Sequence, residues 1–163
     1  MRRTMSNKDI KLLTTGQVAE ICYVAPRTVV GWVDSGALKG YRIPGSRDRR
    51  VPFLELKKFI INSEMPDRFL IEWIEEKTYG KKRIKPIILS AGTVAKICDV
   101  APRTVTNWFD KGKLKGYRLP NSRDRRILSE DVREFMVEYN IPTSFLDEWL
   151  EDRISIYQQA GEK

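Results

Sequence analysis

Val24-Ala25-Pro26-Arg27-Thr28-Val29 recurs later in the chain as Val100-Ala101-Pro102-Arg103-Thr104-Val105. Working outward, Leu38-Lys39-Gly40-Tyr41-Arg42 returns as Leu114-Lys115-Gly116-Tyr117-Arg118. Ser46-Arg47-Asp48-Arg49-Arg50 returns as Ser122-Arg123-Asp124-Arg125-Arg126, and Phe69-Leu70-Ile71-Glu72-Trp73 as Phe145-Leu146-Asp147-Glu148-Trp149. One constant shift aligns all four pairs without a gap, and about half of the aligned positions are identical. Self-similarity at a fixed shift sets the architecture before any local pattern does. The unit runs from about Leu13 to Glu75 and again from Leu89 to Glu151. Two copies are too few for a solenoid, so two like domains are expected.

This reading divides the chain into an N-terminal arm (1–12), a first domain (13–76), a basic linker (77–87), a second domain (88–152) and a C-terminal tail (153–163). The linker holds Gly80, Pro86 and five cations, Lys77, Lys81, Lys82, Arg83 and Lys85. It reads as a solvated tether or as a strip of phosphate contacts.

Within one copy, Val18, Ile21 and Cys22 share one face at helical spacing. Thr14 or Thr15 is placed to cap that short helix. Tyr23-Val24-Ala25 breaks it, and Pro26 suits the first turn of a second helix. Val29, Trp32 and Val33 form the second helix's buried stripe, and Gly36 is a plausible stop. The matching stripe is Val105, Trp108 and Phe109, ending at Gly112. Two short helices joined by a tight turn make a helix-turn-helix. The period then changes. Leu38 to Ile43 reads as a strand, Pro44-Gly45-Ser46-Arg47-Asp48 as a turn, and Arg49-Arg50-Val51-Pro52 as a return strand. The result is a β-hairpin with a basic tip. Phe53 to Ile61 returns to helical periodicity. Ser129 is expected to cap the equivalent helix of the second copy, with Glu130 and Asp131 in its first turn. A last short helix carries Phe69, Leu70 and Trp73, read as core. The fold class is therefore mainly α with small β-hairpin wings, as two tandem winged helix-turn-helix domains.

The totals agree with this plan. The chain has 163 residues, 41% hydrophobic and 32% charged, a globular balance. A net charge of +8 and a pI near 9.6 favour a polyanionic partner. No apolar run approaches a membrane span, and Met1-Arg2-Arg3-Thr4-Met5-Ser6-Asn7 has no apolar stretch behind it. With two cysteines, Cys22 and Cys98, and no histidine, a zinc site is not expected, and a reduced, cytoplasmic protein is. Both thiols fall on the apolar face of a helix, where they act as small hydrophobes. The sequence has no histidine, glycine-rich phosphate loop or metal cluster, so neither an enzyme nor a cofactor is expected.

The pattern T/S-x-G-x-V-A-x-I-C-x-V-A-P-R-T-V-x-x-W-x-D-x-G-x-L-K-G-Y-R stands at Thr14 to Arg42, and its counterpart at Ser90 to Arg118. With the hairpin signature that follows, it resembles the excisionase and MerR-type winged helix-turn-helix domains. The likeness covers roughly 50 residues in each copy. The family often has a Ser or similar cap before the Pro. Here both copies have alanine, Ala25 and Ala101, which weakens that helix start by about 1 kcal/mol. The long dimerisation helix and effector domain of MerR regulators have no counterpart, so no small-molecule effector is implied.

The resemblance implies that the second helix enters the major groove of double-stranded DNA and that the wing grips the neighbouring backbone or minor groove. Arg27 and Arg103 lie in the first turn of that helix, suited to a bidentate guanine contact or a phosphate clamp. Thr28 and Thr104 offer a hydroxyl beside them. Val30-Gly31 and Thr106-Asn107 occupy matched positions off the buried stripe. Asn bonds adenine bidentately, whereas Val touches only a thymine methyl and Gly offers no side chain. The wing arginines Arg47, Arg49, Arg50, Arg123, Arg125 and Arg126 are assigned to phosphate. One arginine per wing is expected to be structural, with Asp48 or Asp124 as an available partner. Lys39 and Arg42, and likewise Lys115 and Arg118, are read as cations alternating along one strand face.

The function expected is sequence-specific DNA binding by a monomeric pseudo-dimer, as a transcription regulator or an excisionase-like recombination factor. The alternative is a protein-interaction module that reuses the fold without binding DNA.

Overall fold

The computed structural model describes residues 10–161, so most of the N-terminal arm expected over 1–12 lies outside the described residues. The fold is mainly helical, with a small antiparallel three-stranded sheet in each repeat: it is a tandem winged helix-turn-helix. The first repeat runs β1 (Leu12–Thr14), α1 (Thr15–Cys22), α2 (Pro26–Ser35), β2 (Tyr41–Arg42), β3 (Arg49–Pro52), α3 (Phe53–Asn62) and α4 (Arg68–Tyr79). The second runs β4 (Ile88–Ser90), α5 (Ala91–Cys98), α6 (Pro102–Asp110), β5 (Tyr117–Arg118), β6 (Arg125–Leu128), α7 (Ser129–Glu138) and α8 (Ser144–Gly161). The chain divides into two compact units. One runs up to Lys85 and takes in Arg118–Arg123; the other holds Pro86–Tyr117 and Asp124 onward.

Each sheet places the return strand of the hairpin in the middle, in the orders β1-β3-β2 and β4-β6-β5. Leu13 sits opposite Val51, and Leu89 opposite Ile127. All four are buried, so these pairs close one end of each core. The outer strands β1 and β4 are absent from a hairpin-only reading. At three residues each they are too short to show alternation, and only their partner strand defines them.

The first core is built from apolar faces at helical spacing. Val18, Ala19, Ile21 and Cys22 come from α1, and Val29 and Trp32 from α2. Leu56, Phe59 and Ile60 come from α3, and Phe69, Leu70 and Trp73 from α4. Trp32 packs on Phe59 with ring centroids 4.9 Å apart. Full burial of one such side chain stabilises by about 1.5–3 kcal/mol. The second core gathers Leu89, Val94, Ile97, Val105, Leu114, Ile127, Val132, Phe135, Met136 and Leu146. Trp108 packs against it from the edge, 4.7 Å from Phe135.

Several local expectations are settled or revised. Thr14, not Thr15, is the first N-cap, and it forms a capping box with Gln17. Ser129 is not a cap: it is the first residue of α7, the N-cap is Leu128, and no side chain caps it. The strand expected over 38–43 shrinks to Tyr41–Arg42. Lys39 therefore precedes it, and a period of two puts residues three apart on opposite faces. Lys77–Tyr79 continue α4, and α8 continues through much of the segment read as a tail. Cys22 is buried but Cys98 only partly so. Burial still pushes the Cys98 thiol pKa upward, away from reactivity.

Candidate nucleic-acid interface

Local chemistry sets where the paired helices start and stop. At the start of α1 the Gln17 N–H donates to Thr14 Oγ1 at 3.1 Å, and the Thr14 N–H donates to Gln17 Oε1 at 3.0 Å. These bonds satisfy two donors that a helix start otherwise leaves open. At its end Tyr23 turns left-handed, with φ 55°, and the Val24 N–H donates back to Ala19 O at 3.1 Å. Ala25 is extended and makes no side-chain cap, as its methyl dictates, and Pro26 opens α2. In the second copy Ser90 caps α5, Asp99 takes the left-handed position with φ 56°, and Pro102 opens α6.

With Val29 and Trp32 turned into the core, the opposite face of α2 is left outward. Arg27 and Gly31, one helical turn apart, are exposed, and Thr28 and Val30 are half-buried beside them. On α6 the matched residues Arg103 and Asn107 are exposed and Thr104 and Thr106 half-buried. The Thr106 hydroxyl donates to Arg103 O at 2.9 Å. Its hydrogen is thus committed to its own helix, and Asn107 carries the exposed amide of this face.

The first wing is held by backbone bonds from the Ile43 N–H to Asp48 O at 2.8 Å and from the Ser46 N–H to Ile43 O at 3.0 Å. Gly45 sits at φ 76° in the turn, and Asn121 takes φ 60° in the second wing. Arg42 is drawn into the first turn, where its Nε donates to Ser46 O at 2.9 Å. Arg47 is exposed, as are Lys39, Lys115, Arg118 and Arg123. Lys115 approaches Glu134 at 3.9 Å, a loose pair between two exposed side chains.

Arg49 grips the helix. Its Nε donates to Asp34 Oδ1 at 2.8 Å and its Nη2 to Asp34 Oδ2 at 3.0 Å, a bidentate pair. Arg125 repeats this on Asp110, with Nη2 at 3.2 Å and 3.1 Å from the two carboxylate oxygens. Arg125 also lies over the Phe109 ring, 5.6 Å from its centroid. One arginine per wing is thus engaged internally, with its carboxylate on the second helix. Arg50 and Arg126 are half-buried in the return strands, and Arg50 Nη1 donates to Arg49 O at 3.0 Å.

One glycine in each repeat lets its wing close. A Cβ on Gly40 would lie 2.8 Å from Arg50 O, and one on Gly116 would lie 2.7 Å from both Arg126 O and Phe109 Cε2. Only glycine permits that approach.

Residues 12–62 and again 88–138 match a family model described as a helix-turn-helix domain. The chain belongs to the helix-turn-helix domain family. Together the two matches span more than half of the chain, and membership points to DNA binding through the paired helices. Searches of the curated proteins and of the solved structures return no match. Among the described residues, no helix is long and apolar enough to cross a membrane.

The residues whose role sequence reasoning missed in these helix-turn-helix domains are Asp34 and Asp110. They read as ordinary acids at helix ends. Each lies 15 residues before the arginine it holds in both copies, but a duplication without gaps preserves every spacing, so that separation carries no signal of its own.

Proposed function

We propose that the protein binds double-stranded DNA sequence-specifically, reading two related but unequal half-sites in direct orientation. It acts as a small transcription regulator or an excisionase-like recombination accessory factor. The observation that carries this reading is the repeated outward face of α2 and α6, with Arg27 and Arg103 exposed in the first helical turn. Recognition helices read bases from that end. Arg27 and Arg103 contact guanine or phosphate, with Thr28 and Thr104 beside them. Asn107 makes the second copy the more discriminating reader, whereas Val30 and Gly31 leave the first closer to an anchor. Arg47, Arg50, Arg123 and Arg126, with Lys39, Arg42, Lys115 and Arg118, supply phosphate contacts. Arg49 and Arg125 are positioning residues that brace the wings. A single chain with two readers needs no second subunit, and linkage raises the effective concentration of the second once the first is bound.

Selection from a random duplex library tests the proposal. An enriched bipartite motif with two similar, same-sense halves is the expected outcome. Contacts to about 6–10 phosphates would make affinity fall about 10³–10⁵-fold between 50 and 200 mM salt. Flat recovery with no salt slope would overturn it in favour of a protein-interaction module.

A further inference from the structure

The segment joining the repeats reads as a solvated basic tether, yet Lys77, Lys81 and Arg83 are paired with carboxylates of the first unit. Lys77 lies 3.7 Å from both Glu20 and Glu76, and Lys81 lies 3.2 Å from Glu75. Arg83 is held most firmly. Its Nε is 3.3 Å from Glu76 Oε2, and its own backbone N–H donates to the same oxygen at 3.4 Å. Its Nη1 donates to Glu20 O at 3.2 Å, and its guanidinium lies 5.2 Å from the centre of the Tyr23 ring. The side chain is only 8% exposed, so this pair is screened far less than a surface one. At the other end Ile87 belongs to the second unit, where its carbonyl accepts from the Ser129 N–H at 2.9 Å.

We infer that Arg83 is a specificity-determining residue for half-site spacing, because it shortens the usable linker to Ile84-Lys85-Pro86. The inference rests on the DNA-binding reading above. From Arg83 to Ile87 the chain reaches at most about 13–14 Å. Released back to Gly80, it would reach about 23–25 Å. The difference of about 10 Å corresponds to about three base pairs along the duplex axis. The strap therefore converts a permissive tether into a ruler. It also turns part of the linker's charge inward, since Arg83 and Lys77 face carboxylates of the first unit, whereas Lys81 stays largely exposed.

The test uses the full chain and duplexes carrying the selected bipartite site, with one to three base pairs inserted between the halves. A duplex with a single half-site serves as reference. Wild type should lose about tenfold or more in affinity by the third inserted pair. Arg83→Gln, and independently Glu76→Gln, which keeps every linker residue, should lose less than about threefold while binding the single half-site as wild type does. Identical spacing profiles in all three proteins would overturn the ruler and leave the DNA reading intact. Variants that weaken single half-site binding as much as bipartite binding would also overturn it, placing Arg83 in the folding of the first unit. If wild type binds neither duplex, the DNA reading falls and the inference with it.

Discussion

The seat of the last helix differs between the two repeats, although both carry the same Phe-Leu-x-x-Trp pattern. In the first, Phe69 is 1% exposed and meets Tyr23 edge-on, with ring centroids 4.9 Å apart. In the second, the matching Phe145 is 46% exposed, and Asp99 stands where Tyr23 does. Trp73 is fully buried and donates from Nε1 to Glu20 Oε2 at 3.1 Å. Trp149 is only half-buried, and Lys96, a cation with no acceptor to offer, replaces Glu20. A pattern of apolar residues thus defines a helix face but not how deeply it is seated. Depth depends on the facing residue of another helix.

The left-handed corner between α1 and α2 shows the same trade. Asp tolerates that conformation, whereas a ring-bearing side chain is held there at a cost of about 1–2 kcal/mol. Tyr23 nevertheless occupies it, and its ring gains Phe69 on one side and the Arg83 guanidinium on another. Burial raises the Tyr23 pKa, and the neighbouring arginine offsets part of that rise. The first repeat accepts local strain and gains a tertiary contact; the second keeps the relaxed corner and leaves its phenylalanine exposed.

The largest test of this contrast is truncation of the paired phenylalanines. Phe69→Ala should destabilise the first repeat by about 3–5 kcal/mol, as full-size core deletions do. Phe145→Ala should cost the second repeat about 0.5 kcal/mol or less. Hydrogen exchange followed by mass spectrometry across a urea series assigns each loss to its repeat. Equal losses would show that Phe145 is seated after all. Next in size, Gly116→Ala should destabilise by about 1–3 kcal/mol, since the new methyl meets both a carbonyl and the Phe109 ring. Gly40→Ala should cost less, because only the Arg50 carbonyl lies as close.

A comparable effect is expected on recognition. Replacing Thr106-Asn107 by Val-Gly, the residues of the first repeat, should remove about 1–3 kcal/mol of base preference in one half-site. Most non-specific affinity should remain. A selected motif identical to that of wild type would show that Asn107 reads nothing. The smallest expected effect sharpens the wing comparison. Asp34→Asn and Asp110→Asn should each cost about 1 kcal/mol or less, because both carboxylates are substantially exposed. The tighter bidentate pair at Asp34 should lose more, read from thermal melts at low and high salt.

Much of this was legible beforehand. The duplication, the helix pair, the Pro26 and Pro102 starts and the basic hairpins all follow from local chemistry or from the repeat itself. Strands β1 and β4 were not legible, because three residues carry no period. Nor was the Arg49–Asp34 pair, since both residues are ordinary surface types until the hairpin folds against α2. The linker misled for the same reason. Its composition is that of a tether, and nothing local announces that Glu20 and Glu76 converge on Arg83.

The sequence by itself determined that there are two copies of one helical unit, which face of each helix is apolar, and which residues of α2 and α6 are left outward. Those features depend on spacing along a single element, where 3.6-residue periodicity and capping preferences act within a few positions. Only the tertiary structure decided that Arg49 and Arg125 brace the wings, that Phe69 is buried while Phe145 is not, and that Arg83 fastens the linker. Each of those depends on a charge or ring brought from elsewhere in the chain. The interaction energy of such groups is set by distance and burial, which neither residue's neighbours in sequence can specify.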